Sequence, residues 1–543
     1  VKGNIAETLI EIAEKYGERP GLIEASTGKS LTFSQLQQYS NDLSFHLKNK
    51  GVQPGDRVML MVSPSADFIC LAFALFKIGA PVILIDPGMG YRNLLRCISG
   101  VNPKIFIGIP KAHLFRRFFP KPFSTVTNSF CCGSSYGIFG PDIRKVKRNG
   151  KENYPVFQPS NNDLAAIIFT TGSTGPPKGV RYEHSIFATQ LEMIRGYYRI
   201  TPEDVDQPAF PLFALFSAAL GACSVIPDMN PAHPARVDPE KFVGSLNRYN
   251  VTYSFGSPAI WNVVSRYCIS KGITIKSLKQ VLMAGAPVPG ELIRRVFSIL
   301  PTDARIHTPY GATESLPIVS MEGKEILDST WHLTTLGKGT CVGRPLPGID
   351  IKIIRISDEA VAEFHKDLEL PTGEIGEIIV RGGVVTRAYE NNAPETKIAK
   401  IKDGETFWHR MGDTGYLDKI GRLWFCGRRA HRVKTRRGVF FTIPCEAIIN
   451  THPDVFRSAL VGVADEDYPG YQHPVLIIEK TKKCPKGSKA ILREIKEMAA
   501  ENMLTREIKY FLFHHSFPVD IRHNAKIFRE KLAIWAEMEI KKK

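Results

Sequence analysis

The sequence contains no CxxC pair. Its ten cysteines are scattered over 543 residues, and the one close pair, Cys131-Cys132, joins neighbours that rarely bond to each other. That distribution excludes a disulfide frame or a zinc ribbon and points to reduced intracellular thiols. Internal repeats and long low-complexity tracts are also missing. No RNP, zinc-finger or basic-zipper pattern is present, so nucleic acid is not an expected partner. Residues 207–227 lack any ionisable side chain, a run nearly long enough to span a bilayer. Pro208, Pro211 and Gly221 interrupt it, and its flanks lack a basic anchor, so the expectation is a buried strand-turn-helix and no transmembrane segment. Val1-Lys2-Gly3-Asn4 shows no charged-then-apolar leader, and a cytoplasmic location is expected.

What is present describes a globular chain. Hydrophobic residues make up 43% and charged residues 23%, in the range of soluble domains, and the length calls for more than one domain. The formal net charge of +17 favours anionic small molecules or an anionic membrane surface.

Apolar periodicity gives helices over 4–16, 35–48 and 68–77, the second ending before Gly51. Strand-like runs lie at 58–62 and 81–85, and this alternation predicts parallel βαβ units. Residues 110–152 break it by mixing aromatic side chains (Phe115, Phe118, Phe119, Phe123, Phe130) with Arg116, Arg117, Lys121, Lys145, Lys147 and Arg148. A solvated loop is the plainer reading, and a membrane-surface or partner-docking loop the alternative. Alternation resumes at Leu164 and runs through 251–255, 281–283 and 305–308. A strand-rich region follows at 349–356, 377–381 and 423–425. From Gly427 a smaller α/β region begins, with strands at 459–463 and 475–478 and helices at 489–501 and 527–538. The expected fold is therefore α/β, with a large domain over 1–426 and a small mobile domain over 427–543.

The most informative stretch runs from Ala165 to Val180. An apolar strand opens into Thr170-Thr171-Gly172-Ser173-Thr174-Gly175, then Pro176-Pro177-Lys178-Gly179. Glycines let backbone amides approach phosphate oxygens, the hydroxyls add donors, and Lys178 adds a point charge. It is not a Walker A loop, because two prolines precede the lysine and disfavour a helix there. Further along stand Gly285-Ala286-Pro287, Tyr310-Gly311-Ala312-Thr313-Glu314, the run Trp408 to Tyr416 with Asp413 at its centre, Gly427-Arg428, and Asn524-Ala525-Lys526-Ile527.

In that order and spacing the sequence resembles the adenylate-forming superfamily of acyl-CoA synthetases, luciferases and peptide-synthetase adenylation domains. The resemblance implies ATP and Mg²⁺. Residues 170–175 and Lys178 would hold the phosphates, and Gly285, Ala286 and Pro287 would lie along the adenine. Tyr310 and Gly311 would flank the base, with Tyr310 stacking on it. Thr313 would bond the α-phosphate and Glu314 would hold the metal. Asp413 would accept the ribose hydroxyls, Arg428 would serve the ribose or phosphate, and Lys526 would act at the α-phosphate and carboxylate. Departures are Met411 for a threonine, Ala430 where an acidic hinge residue is usual, and the run Arg522-His523-Asn524 before Ala525 in place of a glycine. Ala214 replaces the histidine of the acyl-pocket motif.

Ala214, the altered hinge, residues 520–530 and Val225-Ile226-Pro227-Asp228-Met229 are similar to one branch, the β-lactone synthetases of bacterial long-chain olefin biosynthesis. That branch implies a 2-alkyl-3-hydroxy fatty acid activated as acyl-AMP and closed by its own hydroxyl, with His409, His431 and His523 as candidate proton acceptors. Thioester formation with coenzyme A is the alternative. Amino-acid activation is a weaker one, since no F-D-x-S anchor or carrier domain is present. Partner enzymes of a lipid pathway, or peripheral membrane contact through residues 110–152, are compatible with the branch.

Overall fold

The computed structural model describes residues 3–146, 150, 152–170, 176–481, 486–519 and 527–542. Three sheets form the bulk of it. The first contains β1 (Val58–Met61), β2 (Val82–Leu84), β3 (Ile105–Gly108), β4 (Asn128–Cys131), β5 (Leu164–Phe169) and β6 (Gly179–Glu183), in the order β4-β3-β1-β2-β5-β6. All neighbours are parallel except β5 and β6, which pair antiparallel. The helices predicted over 4–16, 35–48 and 68–77 are Ala6–Tyr16, Phe33–Asn49 and Ala66–Ile78. The last of these is almost wholly buried, as a helix without a polar face must be.

The second sheet runs Arg305–His307, Gln280–Met283, Tyr253–Gly256, Val205–Asp206, Cys223–Ile226, Pro20–Glu24, Ser30–Thr32. The uncharged stretch supplies a helix and then a strand rather than a strand-turn-helix. Pro211–Leu220 is the helix between Val205–Asp206 and Cys223–Ile226. Its prolines sit at the helix start, where a missing N–H costs nothing, and Gly221 closes it in a left-handed turn (φ 81°).

The third sheet is antiparallel and holds β7 (Tyr310–Ala312), β8 (Thr406–Leu417) and β9 (Leu423–Arg428), with five further strands. Past β9 comes a hairpin, Val433–Thr435 with Gly438–Phe440. A three-stranded sheet follows, Val455–Ala464, Gln472–Lys480 and Tyr510–Phe513, covered by Ser488–Glu501 and Arg529–Lys541.

One expectation is corrected. Residues 110–131 do not break the alternation. α2 (Pro110–Phe118) and β4 continue it, and β4 extends the first sheet in parallel to β3. The aromatic side chains divide: Phe123 and Phe130 are buried, the former edge-on to Phe106 of β3 at 5.5 Å, whereas Phe118 is exposed. Two of the five phenylalanines are core, and a loop reading overlooked the burial that stabilises an added strand.

Candidate active site

The site lies where the three sheets converge. Strand β5 delivers Thr170, whose amide donates to the Lys178 carbonyl at 3.0 Å, while the Lys178 amide donates back to the Thr170 hydroxyl at 3.3 Å. These two bonds extend the antiparallel pairing of β5 and β6 to Thr170 and Lys178, so a strand and not a helix follows the lysine. Thr171, Gly172, Ser173, Thr174 and Gly175 lie outside the described residues.

From the second sheet, Gln280–Met283 and Arg305–His307 are parallel neighbours. Their carboxyl ends therefore bring Gly285-Ala286-Pro287 and Tyr310 to one edge, the position where open parallel sheets bind ligands. Gly285 has φ +94°, a left-handed conformation that a side chain would strain.

From the third sheet come Tyr310, Asp413 and Arg428. Asp413 and Arg428 face each other across β8 and β9. The Arg428 Nη1 lies 3.0 Å from Asp413 Oδ1, and the Tyr310 hydroxyl donates to Asp413 Oδ2 at 2.6 Å. Burial and the adjacent carboxylate push the Tyr310 phenol well above its usual range, and Asp413 raises the Arg428 guanidinium further. Tyr310 is thus a fixed donor at neutral pH. Arg428 follows Gly427 (φ +128°), where an added Cβ would run into Thr442.

Thr313 and Glu314 sit between these groups. The Tyr182 hydroxyl donates to the Thr313 carbonyl at 2.5 Å. Glu314 is held twice, its carbonyl by the Thr386 amide at 2.9 Å and its Oε1 by the Tyr389 hydroxyl at 2.7 Å. Lys178 reaches the same neighbourhood, with Nζ 2.5 Å from Glu395 Oε2 and 5.1 Å from the centre of the Tyr389 ring.

Residues 386–400, which no motif singled out, stitch the site together. The Glu390 amide donates to the Gly179 carbonyl at 2.7 Å, and the buried Glu390 carboxylate pairs with Arg57 at 2.5 Å and Arg181 at 2.8 Å. Lys400 donates to the Thr386 carbonyl and lies 3.1 Å from Nδ1 of His409. Burial pushes Lys400 down to about 7, against the opposing pull of Glu314 and Glu183.

Of the candidate proton acceptors, His409 is buried, and burial with the nearby Lys400 charge holds it neutral. His431 Nε2 is 3.0 Å from Glu530. His523 and Lys526 lie outside the described residues. Beside Ala430 the charge at the junction is basic: Arg429 reaches Glu377 at 3.2 Å, and Arg432 and Lys434 meet Asp358 at 2.7 and 2.5 Å.

Thr170 and Lys178, the Glu314 carboxylate held by Tyr389, and the Asp413 carboxylate held by Tyr310 and Arg428 thus meet at the edges of parallel and antiparallel α/β sheets, an arrangement of an enzyme cleft. The chain belongs to the AMP-binding enzyme family, which matches residues 9–390. It is 41% identical to the olefin beta-lactone synthetase of Xanthomonas campestris pv. campestris, over 99% of this chain and 98% of that one. The protein of the same name from Stenotrophomonas maltophilia is also 41% identical, over 99% of each chain. Among solved structures, the amide bond synthetase McbA from Marinactinospora thermotolerans superposes with a TM-score of 0.80 at 19% identity, covering 98% of this chain and 99% of that one. At that identity the likeness concerns the fold.

Proposed function

We propose that the protein uses Mg²⁺-ATP to activate a long-chain 2-alkyl-3-hydroxy carboxylate as acyl-AMP, and then closes it to a β-lactone. The observation that carries this reading is the full-length 41% identity to two beta-lactone synthetases. The site geometry agrees with its first half.

In the first step a carboxylate oxygen attacks the α-phosphorus and pyrophosphate leaves. The loop from Thr170 to Gly175, with Lys178, is the phosphate cradle. Lys178 exchanges Glu395 for a phosphate oxygen. A carboxylate offers about four lone-pair sites. Tyr310 donates to Asp413 and Arg428 pairs with it, which fixes the orientation of a carboxylate whose chemistry suits the ribose hydroxyls. The Tyr310 ring is the stacking face for adenine, beside Gly311 and along 285–287. Glu314 is a hard oxygen donor fixed by Tyr389, and one carboxylate plus substrate phosphates is the donor set that Mg²⁺ prefers. When bound, the metal supplies charge neutralisation at the phosphates. Lys526, from the small domain beyond a junction at 426–429, neutralises charge on the α-phosphate as pyrophosphate departs, with Thr313 as its donor partner.

In the second step the 3-hydroxyl oxygen attacks the acyl carbon, AMP leaves, and the hydroxyl proton passes to a base. The attack is intramolecular, so holding the hydroxyl against the acyl carbon replaces a second substrate. The uncharged helix Pro211–Leu220, with Phe213 stacked on Phe255 at 3.9 Å, offers an apolar wall for the alkyl chains.

Product analysis tests this. With Mg²⁺-ATP and a long-chain 2-alkyl-3-hydroxy acid, and without coenzyme A, mass spectrometry should find a product one water lighter than the acid, together with AMP. A thioester formed only with coenzyme A would instead make the protein a fatty acyl-CoA ligase.

A further inference from the structure

The first sheet carries a second feature outside the cleft. Between Asp86 and Asp142 the sequence contains no acidic residue and seven lysines and arginines, out of a net charge of +17. Two helices of this segment, α1 (Tyr91–Val101) and α2, meet at their exposed ends: the Tyr91 and Phe119 rings stack with centroids 6.4 Å apart, and Phe119 contacts Phe115 at 4.9 Å. On α2, Lys111, Leu114 and Phe118 recur at helical spacing and all face solvent, with Arg117 beside them. Leu114 is 45% and Phe118 71% exposed. The following turn, where Phe139 stacks on His113 at 5.2 Å, adds Tyr136 at 96% and Ile138 at 76% exposed.

Large apolar side chains on an exposed surface normally signal a partner. On α2 the exposed Leu114 and Phe118 alternate with Lys111 and Arg117. Among the described residues, Lys111, Arg117 and Lys121 have no acidic side chain in ion-pair range. Both helices also leave the carboxyl ends of parallel strands, β2 and β3, on the edge from which β5 delivers Thr170.

We propose that this surface docks the protein onto anionic phospholipid bilayers. Leu114, Phe118, Tyr136 and Ile138 would enter the headgroup–acyl boundary, and Lys111, Arg117 and Lys121 would meet lipid phosphates. Charge complementarity selects this occupant. An interfacial element combines an apolar insert with lysine and arginine, whereas a protein-binding core is depleted of lysine. The surface lies outside the cleft residues, so its lipid affinity is independent of which carboxylate the cleft activates.

The test is co-sedimentation of the full chain with vesicles of equimolar phosphatidylglycerol and phosphatidylcholine, and with phosphatidylcholine alone. The native chain should bind the anionic vesicles, bind the neutral ones at least about tenfold more weakly, and be released by salt. Leu114→Ser with Phe118→Ser, and separately Lys111→Gln with Arg117→Gln, should each weaken binding roughly tenfold or more. ATP affinity and thermal midpoint should stay native in both, since these side chains are exposed. Absence of binding to either vesicle, or native binding by both variants, would overturn the proposal. So would a native chain that ignores vesicles but self-associates through this surface, seen as a sedimentation coefficient that falls in the variants.

Discussion

Asp413→Asn isolates the ribose contact. The substitution keeps the side chain's size and one acceptor oxygen, so the Tyr310 hydroxyl retains a partner. It removes the charge and turns one acceptor oxygen into an amide donor. A hydrogen bond to a charged group contributes about 1.5–3 kcal/mol. Losing one such bond and weakening a second costs nucleotide binding about 2–4 kcal/mol, or about 30- to 1000-fold in affinity. The effect on folding is smaller. Arg428 loses its ion pair, but its side chain is 36% exposed, and water then screens most of the loss, leaving ~1 kcal/mol. Calorimetric titration with ATP and with 2′,3′-dideoxy-ATP separates ribose recognition from general damage. The native protein should bind the dideoxy nucleotide much more weakly than ATP, whereas in the variant that difference should shrink about tenfold or more. If native and variant proteins discriminate between the nucleotides equally, Asp413 does not hold the ribose and the reasoning fails.

Other consequences follow from single contacts. Tyr389→Phe removes the donor that fixes Glu314 at 2.7 Å, so AMP release should fall about tenfold and require more Mg²⁺, by the energy of one charge-assisted bond; an unchanged Mg²⁺ dependence would count against that role. Arg410 and Glu377 are a buried pair, 2.7 Å apart, and Arg410 also donates to the carbonyls of Ser357, Glu359 and Ile398. Arg410→Met should cost roughly 3–5 kcal/mol, read as a lower urea midpoint. Lys77 is fully buried among Gln37, Ser40 and Asn41, and burial pushes it down to about 7. Because the unfolded lysine stays protonated to about 10.4, the unfolded state binds more protons above pH 7, and this group makes stability rise with pH. Lys77→Met should therefore show a smaller gain in urea midpoint from pH 7 to pH 9 than the native protein; an equal gain would contradict the burial cost.

The parts of the fold that follow local periodicity were readable in the sequence. Ala66–Ile78 carries an unbroken apolar run from Phe68 to Phe76, and β5 is an apolar run ending at Thr170. β8 was harder. It is a twelve-residue strand, yet Gly412, Asp413 and Gly415 lower its strand propensity, and Gly412 sits at φ +67°. It read as a motif and not as a strand. The supports of the site were invisible for a different reason. Lys178 and Glu395 are 217 positions apart, and Tyr389 meets Glu314 across 75. No period or short motif encodes contacts made only when two sheets close. Residues 110–131 show the reverse error: their charge suggested a loop, but Phe130 is buried in β4 and Phe123 beneath it against Phe106. The partners of the junction near Ala430 were equally unreadable, since Arg429 pairs with Glu377, and Arg432 and Lys434 with Asp358, across more than fifty positions.

The most direct test of the account follows oxygen atoms through one turnover. The substrate would be the 2-alkyl-3-hydroxy acid with heavy oxygen in both carboxylate positions, and the products would be weighed by mass spectrometry. Adenylation followed by closure through the 3-hydroxyl requires one labelled atom in AMP and one in the lactone carbonyl, with an unlabelled ring oxygen. Label found in inorganic phosphate, or both labelled atoms retained in the organic product, would contradict it.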